Sequence, residues 1–360
     1  MNPLDKIKPN VRGLRAYTLT PERASVKLNQ NENPFEAPDA FKQEVLRRFR
    51  QRAWSRYPDF TPASLREKLA AFAGWVPEGV VAGNGSNELL QAALMVTVGE
   101  GKRVLLAEPT FLLYRQLITV FGGEALSVLL DAGLGFDADA LARAVEAEQP
   151  DVTLICSPNN PTGCVISERE LARLLRAARG LVLVDEAYHE FSGQTAVPLL
   201  KEFANLVVFR TFSKALAMAA LRVGYLLASP ELAREIGKAV LPYNLNVFSQ
   251  TAAEVALERY DELGRHVRAI VEERGRLYES LRDIDGLRPV ASRANFMVVR
   301  SELDPRHVFR ELLARDILAR DVSGYPMLRE YFRVSVGTPA ENDKLIAALK
   351  EIVKGSRQEQ

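Results

Sequence analysis

Short apolar runs alternate with longer amphipathic stretches through the first two thirds of the 360-residue chain. The apolar runs are rich in Val, Leu and Ile and show little polar–apolar alternation, which is typical of strands covered by helices on both faces. Helical patterns lie between them, for example at 87–98, 168–178 and 230–239. This order predicts an α/β fold with a mostly parallel, seven-stranded sheet sandwiched by helices. The predicted strands are residues 80–82, 103–107, 125–130, 152–156, 181–184, 206–210 and 224–228.

The pattern changes after about residue 243. A long helical stretch covers residues 247–281, and strands at 296–300 and 331–336 then alternate with helices at 305–315 and 341–353. This predicts a smaller α+β domain, and the first residues, rich in proline and polar side chains, predict an arm. The predicted division is an N-terminal arm at 1–30, a large domain at 31–245 and a small C-terminal domain at 246–360.

Composition narrows the classes of function. The formal net charge of +1 gives no electrostatic case for binding nucleic acid or an anionic membrane. No run is long and apolar enough to span a bilayer, and the N-terminus lacks the apolar segment of a signal peptide, so we expect a cytoplasmic protein. Cys156 and Cys164, with His189 as the nearest histidine, do not form a zinc pattern, so no metal site is predicted.

Residues with versatile chemistry follow five of the predicted strands. In open α/β sheets, ligands bind beyond the carboxyl ends of the strands. Together the five segments hold a lysine, a carboxylate, a phenol, an amide, small residues and an aromatic ring at one edge of the sheet. The segments are 83–88, 108–111, 157–163, 185–188 and 211–214.

This set of side chains fits the parts of pyridoxal phosphate. Lys214 can form an imine with the aldehyde of such a cofactor. Asp185 is in the right place to keep the ring nitrogen protonated, which an electron sink requires. Tyr188 and Asn160 can donate hydrogen bonds to the phenolic oxygen of the ring, and Phe111 offers a flat face for it.

The phosphate of the cofactor needs a different set of groups. Gly85, Ser86 and Asn87 open a predicted helix, whose backbone N–H groups can bind an anion, and Ser213 and Arg222 can complete the shell. Each feature alone is common, since a lysine after a strand is usually a solvated charge and Asn-Pro-Thr-Gly is usually only a turn. Their joint occurrence at strand ends predicts a pyridoxal phosphate enzyme.

Nine motifs of the chain also match a known family, over residues 28–338. They are LNQNENP (28–34), RYPD (56–59), GNGSNE (83–88), EPTFLLY (108–114), SPNNPTG (157–163), DEAYHEF (185–191), RTFSKALAMAALRVGY (210–225), PYNLN (242–246) and FRVSVGT (332–338). The chain resembles the class II aminotransferases of the fold-type I pyridoxal phosphate superfamily. LNQNENP with PYNLN points to the histidinol-phosphate aminotransferase branch.

The resemblance implies a reaction and three catalytic residues. It implies a fold-type I transaminase of histidine biosynthesis that moves an amino group between histidinol phosphate and 2-oxoglutarate, giving imidazole acetol phosphate and glutamate. Lys214 would be the Schiff-base lysine and proton carrier, Asp185 the partner of the ring nitrogen, and Tyr188 a ligand of the ring oxygen.

The resemblance also implies substrate and subunit contacts. Tyr57 would reach the phosphate of the other subunit's cofactor, which implies a homodimer with shared active sites. Arg333 would bind the substrate's carboxylate, Asn160 would also bind the substrate, and Arg320 and Tyr17 would hold its distal anionic group. A surface ion pair is the alternative for Arg320, because Asp321 follows it, and a packing role is the alternative for Tyr17. The roles of Tyr243 and Asn244 stay open.

Rival functions remain on the same pattern. An aromatic or broad-range aminotransferase, or a decarboxylase of threonine phosphate, would look nearly the same. A nucleotide-binding dehydrogenase is disfavoured, because Gly83-Asn84-Gly85 lacks the third glycine of the dinucleotide fingerprint. A non-catalytic DNA-binding regulator is disfavoured, because the arm before Leu28 is too short for a DNA-binding module.

Overall fold

A seven-stranded sheet, a four-stranded sheet and a short two-stranded sheet form in the described part of the computed structural model, which covers residues 2–16 and 22–358. The strands in chain order are β1 (Val26–Lys27), β2 (Val80–Gly83), β3 (Arg103–Glu108), β4 (Glu124–Leu129), β5 (Val152–Cys156), β6 (Leu181–Asp185), β7 (Leu206–Thr211), β8 (Gly224–Ala228), β9 (Leu287–Pro289), β10 (Phe296–Ser301), β11 (Ile317–Leu318), β12 (Arg320–Asp321) and β13 (Tyr331–Ser335).

Helices cover both sheets. The α-helices in chain order are α1 (Pro9–Arg12), α2 (Asp39–Arg50), α3 (Ala63–Ala73), α4 (Ser86–Thr97), α5 (Leu112–Phe121), α6 (Ala138–Glu148), α7 (Glu168–Ala177), α8 (His189–Ser192), α9 (Pro230–Gly237), α10 (Val247–Glu258), α11 (Tyr260–Arg282), α12 (Pro305–Ala314) and α13 (Pro339–Gln358). None of the helices in the described part of the chain has the length and apolar character needed to cross a membrane.

The large sheet confirms the predicted α/β fold. Its seven strands lie in the order β2-β8-β7-β6-β5-β3-β4, and only β8 runs antiparallel to its neighbours. Each predicted strand is present, and the ends differ by at most one residue. Along β5, Leu154 faces one hydrophobic cluster and Ile155 faces the other, and β6 alternates in the same way. Because helices cover both faces, apolar residues on these strands point to both sides of the sheet.

The small sheet is antiparallel, in the order β12-β13-β10-β9, and packs with helices α11, α12 and α13. Its register pairs Arg320 with Arg333, so two predicted substrate ligands lie on neighbouring strands. The strands and helices that the sequence predicts after residue 280 are all present, and β9 and β12 are two further short strands that it did not predict.

The predicted continuous helical stretch at 247–281 is wrong in one respect, because the chain forms two helices there with a break at Arg259. Helix α10 packs on α2 and α3, and its buried Ala252 and Val255 belong to the core of the large sheet. Helix α11 instead buries Ile270 and Leu277 against the small sheet. The break lies close to the change of core, because Leu263 near the start of α11 still belongs to the core of the large sheet. The domain division at 245/246 stays a prediction.

The N-terminal segment contacts both units. Lys8 Nζ donates a hydrogen bond to the carbonyl of Val120 at the end of α5, at 3.3 Å. Strand β1 pairs in parallel with β11 beside the small sheet, where Val26 lies opposite Ile317. The arm predicted at residues 1–30 therefore contacts the rest of the described chain both through residues before position 17 and through residues after position 21.

Candidate active site

A cavity of about 400 Å³ opens at the carboxyl ends of the large-sheet strands and reaches the small sheet. Eleven of the predicted site residues line it, and they come from both sheets and their loops. These residues are Ser86, Asn87, Phe111, Asn160, Asp185, Tyr188, Ser213, Lys214, Arg222, Arg320 and Arg333. The structure therefore brings together groups that the sequence spreads over about 250 positions.

Lys214 follows β7 and points its amine across the cavity. Its Nζ donates a hydrogen bond to the carbonyl of Gln30 at 2.9 Å. Burial lowers the pKa of Lys214 to about 8, and the positive charge of Arg333 adds to this effect. Among the described residues, no carboxylate forms an ion pair with the amine. About a tenth of Lys214 is therefore neutral, and nucleophilic, at pH 7, far more than for an ordinary lysine.

We expect the rate at which the cofactor-free protein takes up pyridoxal phosphate to follow this pKa. Only the neutral amine attacks an aldehyde, so lowering the pKa of Lys214 to about 8 makes uptake rise about tenfold between pH 7 and pH 9 and then level off. Stopped-flow absorbance measures the rate. A rate that climbs without levelling to pH 10 would show an ordinary lysine and contradict the assignment.

Asp185 ends β6 as a buried carboxylate between two hydrogen-bond donors. The backbone N–H of Ala187 donates to Oδ1 at 3.0 Å, and the hydroxyl of Tyr114 donates to Oδ2 at 2.7 Å. Burial raises the pKa of Asp185. In the described chain no lysine or arginine forms an ion pair with this carboxylate. A buried charge of this kind needs a cation, and a protonated pyridine nitrogen supplies one, so the residue fits pyridoxal phosphate.

The start of α4 forms a cup for an anion. Gly85 precedes the helix with φ 83°, and no side chain caps the first-turn N–H groups, which leaves them available to a phosphate. Arg222 Nη1 donates to Ser213 Oγ at 3.0 Å beside this helix start. A Cβ atom at position 85 would lie 2.4 Å from Arg222 Nη2, so glycine allows the guanidinium to approach the backbone.

Arg333 is held at the opposite end of the cavity, where it is 5% exposed. Its Nη1 donates to Asn160 Oδ1 at 2.5 Å, and its Nη2 donates to the carbonyl of Asn29 at 2.7 Å. Within the described residues, the side chain of Arg320 beside it forms no hydrogen bond or ion pair. Asp321 instead lies 3.8 Å from Arg306, so the proposed surface pair between Arg320 and Asp321 does not form.

Replacing Arg333 by lysine should weaken carboxylate binding. A lysine keeps the charge but loses the planar fork that binds a carboxylate through two hydrogen bonds. We expect kcat/KM for glutamate to fall about a hundredfold, mainly through KM, as steady-state kinetics would measure. Arg300→Lys is the matched control, because Arg300 lies on the neighbouring strand and pairs with Glu330 on the surface. Equal KM values in both variants would contradict a substrate role.

Several cavity contacts were missed by the sequence analysis. Asn31 Nδ2 donates to Tyr188 Oη at 3.1 Å, and Asn31 has a left-handed backbone with φ 55°. Thus the 28–34 motif supplies an amide to Tyr188 and carbonyls to Lys214 and Arg333. The motif is typical of the family, but no local pattern in the sequence indicates which group each of its amides contacts. Tyr114 also lines the cavity.

Three predicted or open residues of the described chain, Tyr57, Tyr243 and Asn244, lie outside the cavity lining. Tyr57 is 80% exposed and stacks on Tyr243 at 4.5 Å, outside the lining of this chain's own cavity. Asn244 donates to Glu88 Oε2 at 2.6 Å and so ties its loop to α4. Tyr17 lies outside the described residues. The ligand roles of Tyr57 and Tyr17 stay predictions.

Comparison with known proteins identifies relatives over most of the chain. The family model described as aminotransferase class I and II matches residues 23–349. A histidinol-phosphate aminotransferase from Chlorobium phaeovibrioides is 40% identical over 351 residues, covering 97% of both chains. One from Chlorobaculum tepidum is 40% identical over 332 residues, covering 92% of this chain and 95% of its own.

A solved structure shares the fold. The histidinol-phosphate aminotransferase from Sinorhizobium meliloti in complex with pyridoxal-5'-phosphate superposes with a TM-score of 0.87. The match covers 97% of this chain and 98% of the other, at 24% sequence identity. At this identity the likeness supports the architecture alone.

Proposed function

Because this chain belongs to the class I and II aminotransferases, we propose that it moves an amino group between histidinol phosphate and 2-oxoglutarate, in histidine biosynthesis. It is a pyridoxal phosphate-dependent transaminase. When bound, the cofactor carries the amino group between the two substrates and withdraws electrons from the substrate carbon. The protein supplies the groups that bind, orient and transfer protons.

Lys214 performs the proton transfers. Its amine would hold the cofactor, and the free amine would accept the proton that the substrate carbon gives up and later donate it again. The lowered pKa of about 8 suits both tasks, since the amine can be a base and its protonated form an acid near neutral pH. Asp185 keeps the ring nitrogen protonated, and Tyr188 and Asn160 bind the ring oxygen.

The observation that carries the substrate proposal is the arrangement of arginines along the cavity. Arg222 lies at the helix cup, while Arg320 and Arg333 lie together at the other end. The start of α4 beside Arg222 suits the cofactor's phosphate. Arg320 and Arg333, at the other end, are therefore the arginines that we assign to binding an anionic substrate. One site must accept a carboxylate from 2-oxoglutarate and a phosphate from histidinol phosphate, and a guanidinium fork matches either group.

A panel of amino donors tests this proposal. With 2-oxoglutarate as acceptor, we expect kcat/KM for histidinol phosphate to exceed that for phenylalanine or histidinol by about a hundredfold or more, because only the phosphate ester engages Arg320. Coupled measurement of glutamate formation follows the reaction, and release of carbon dioxide from threonine phosphate is followed in parallel. Equal values for phenylalanine would favour an aromatic or broad-range aminotransferase, and carbon dioxide release would favour the decarboxylase.

The aromatic surface around Tyr57 supports a homodimer. The side chains of Trp54, Tyr57 and Phe60 are 72%, 80% and 68% exposed. Leu241, which lies close to Tyr243 in the sequence, is 74% exposed. Phe60 and Tyr57 both contact the ring of Tyr243, so these aromatic side chains form one patch. Exposed apolar patches of this kind mark protein interfaces. A second copy would cover the patch and bring Tyr57 to the partner's cofactor phosphate.

Sedimentation analysis should give twice the mass of one chain, and Tyr243→Asp should shift the protein toward the monomer by placing a charge in the interface. Val76→Asp is the matched control, since Val76 is also an exposed apolar residue, at 42%, but outside the aromatic patch. A wild-type protein that sediments as a monomer at micromolar concentration would refute the homodimer. Action in the cytoplasm is proposed from the biosynthetic reaction.

A further inference from the structure

We propose that Tyr114 is a positioning residue that fixes the ionised carboxylate of Asp185 for the ring nitrogen of the cofactor. The inference rests on the proposed role of Asp185. Tyr114 lies on α5, is fully buried, and contributes its hydroxyl to the cavity wall.

The hydrogen bonds of Asp185 place its two oxygens separately. Tyr114 Oη donates to Oδ2 at 2.7 Å, and the Ala187 N–H donates to Oδ1 at 3.0 Å. An ionised carboxylate has about four lone-pair positions, so one donor on each oxygen leaves room for a further donor from the ring. The Ala187 N–H belongs to the backbone of the same loop. Tyr114 is therefore the side chain that anchors the carboxylate from another element of the fold.

Tyr114 also contacts the residue predicted to stack on the ring. Phe111 lies one helical turn before it, and the two rings meet edge to face at 5.5 Å and 89°. One buried side chain thus contacts both the residue assigned to the ring face and the residue assigned to the ring nitrogen. The contact holds the two cofactor-facing groups in a fixed relation.

The hydroxyl of Tyr114 remains a donor throughout the working range of pH. Burial raises the pKa of Tyr114 well above its usual value, and the charge of Asp185 adds to this effect. A donor that is always protonated favours the ionised form of its carboxylate partner. The hydrogen bond thereby opposes the effect of burial, which raises the pKa of Asp185.

Tyr114→Phe removes only the hydroxyl, and Tyr225→Phe is the matched control. Tyr225 is equally buried, meets Phe212 edge to face at 6.1 Å, and has a hydroxyl bonded by Arg210, but it does not line the cavity. We expect Tyr114→Phe to weaken pyridoxal phosphate binding about tenfold, the effect of losing one hydrogen bond to a charged group. Fluorescence titration of the cofactor-free protein measures this affinity.

The visible spectrum of the bound cofactor gives a second measurement that needs no turnover. A less firmly ionised Asp185 leaves less positive charge on the ring, so the nitrogen joined to Lys214 becomes more basic. We expect the midpoint of the pH-dependent change of the visible band to rise by about half a pH unit or more in Tyr114→Phe. Tyr225→Phe should leave both the affinity and the midpoint at wild-type values.

A double-mutant cycle with Asp185→Asn decides whether the effect passes through Asp185. In the Asp185→Asn background, Tyr114→Phe should change the affinity for the cofactor by less than about twofold, because the carboxylate that Tyr114 holds is gone. It should move the midpoint of the visible band by less than about 0.2 pH unit. Equal losses with and without Asp185, or a loss of thermal stability alone with unchanged affinity and midpoint, would overturn the proposal. A wild-type protein that binds the cofactor but transfers no amino group would refute the proposed reaction and leave this comparison valid.

Discussion

Lys214→Ala should abolish amino transfer, with a fall in kcat of at least about 10⁴-fold. A positioned general acid–base group alone contributes about 10² to 10⁴. In the proposed mechanism Lys214 is also the amine that links the cofactor covalently, and none of the other lysines in the described chain lines the cavity. The loss therefore combines two steps, and we expect a larger effect here than at any other position.

The measurement follows glutamate formation with histidinol phosphate as donor, together with mass spectrometry of peptides after borohydride treatment. Wild-type protein should carry the reduced cofactor on the peptide that contains Lys214, and the variant should carry none. Lys102→Ala is the matched control, because Lys102 precedes β3 at the opposite edge of the sheet and pairs with Asp151 on the surface at 2.8 Å. Turnover of Lys214→Ala within tenfold of wild type would end the proposed mechanism.

The sheet and the residues at its edge could be predicted because their signals are local. Strands covered on both faces are mostly apolar with little alternation, as in VTLIC of β5 and LVVFRT of β7, and this pattern can be recognised in the sequence alone. The parallel register then places the ends of β5 and β6 side by side, where Cys156 lies opposite Asp185. Sequence order and one geometric rule were thus enough to gather Asp185, Lys214 and Asn160.

Contacts that depend on tertiary packing left no such local signal. The amide of Asn31 reaches Tyr188 across 157 positions, and Arg333 reaches the carbonyl of Asn29 across 304. Tyr114 lies in an apolar helical pattern, where a buried tyrosine is typical of core packing. The break at Arg259 follows no proline or glycine; it occurs where the chain passes from one core to the other. Such features depend on which elements meet.

Asp185→Asn should lower kcat about 10³-fold while leaving the fold intact. Asparagine has nearly the same shape but carries no charge, and its single carbonyl oxygen can accept only one of the two hydrogen bonds that Tyr114 and Ala187 donate to separate oxygens of Asp185. The ring nitrogen then loses the anion that keeps it protonated, so the cofactor withdraws electrons less strongly when the substrate carbon gives up its proton. Cofactor affinity should fall as well, because a buried ion pair loses one partner.

The pH dependence of cofactor retention separates this role from a steric one. Burial raises the pKa of Asp185, and a cationic ring beside it lowers that pKa again, so binding of the cofactor favours the ionised carboxylate. Affinity for pyridoxal phosphate in the wild-type protein should therefore fall on the acid side, where Asp185 takes up a proton. Asp185→Asn has no such proton to take up, and its weaker affinity should lack that dependence.

Asp151→Asn, which changes a partly exposed carboxylate at the opposite edge of the sheet, should keep the wild-type profile. If the affinity of Asp185→Asn fell at low pH as the wild-type affinity does, the proton would belong to another group. Asp185 would then not be the partner of the ring nitrogen.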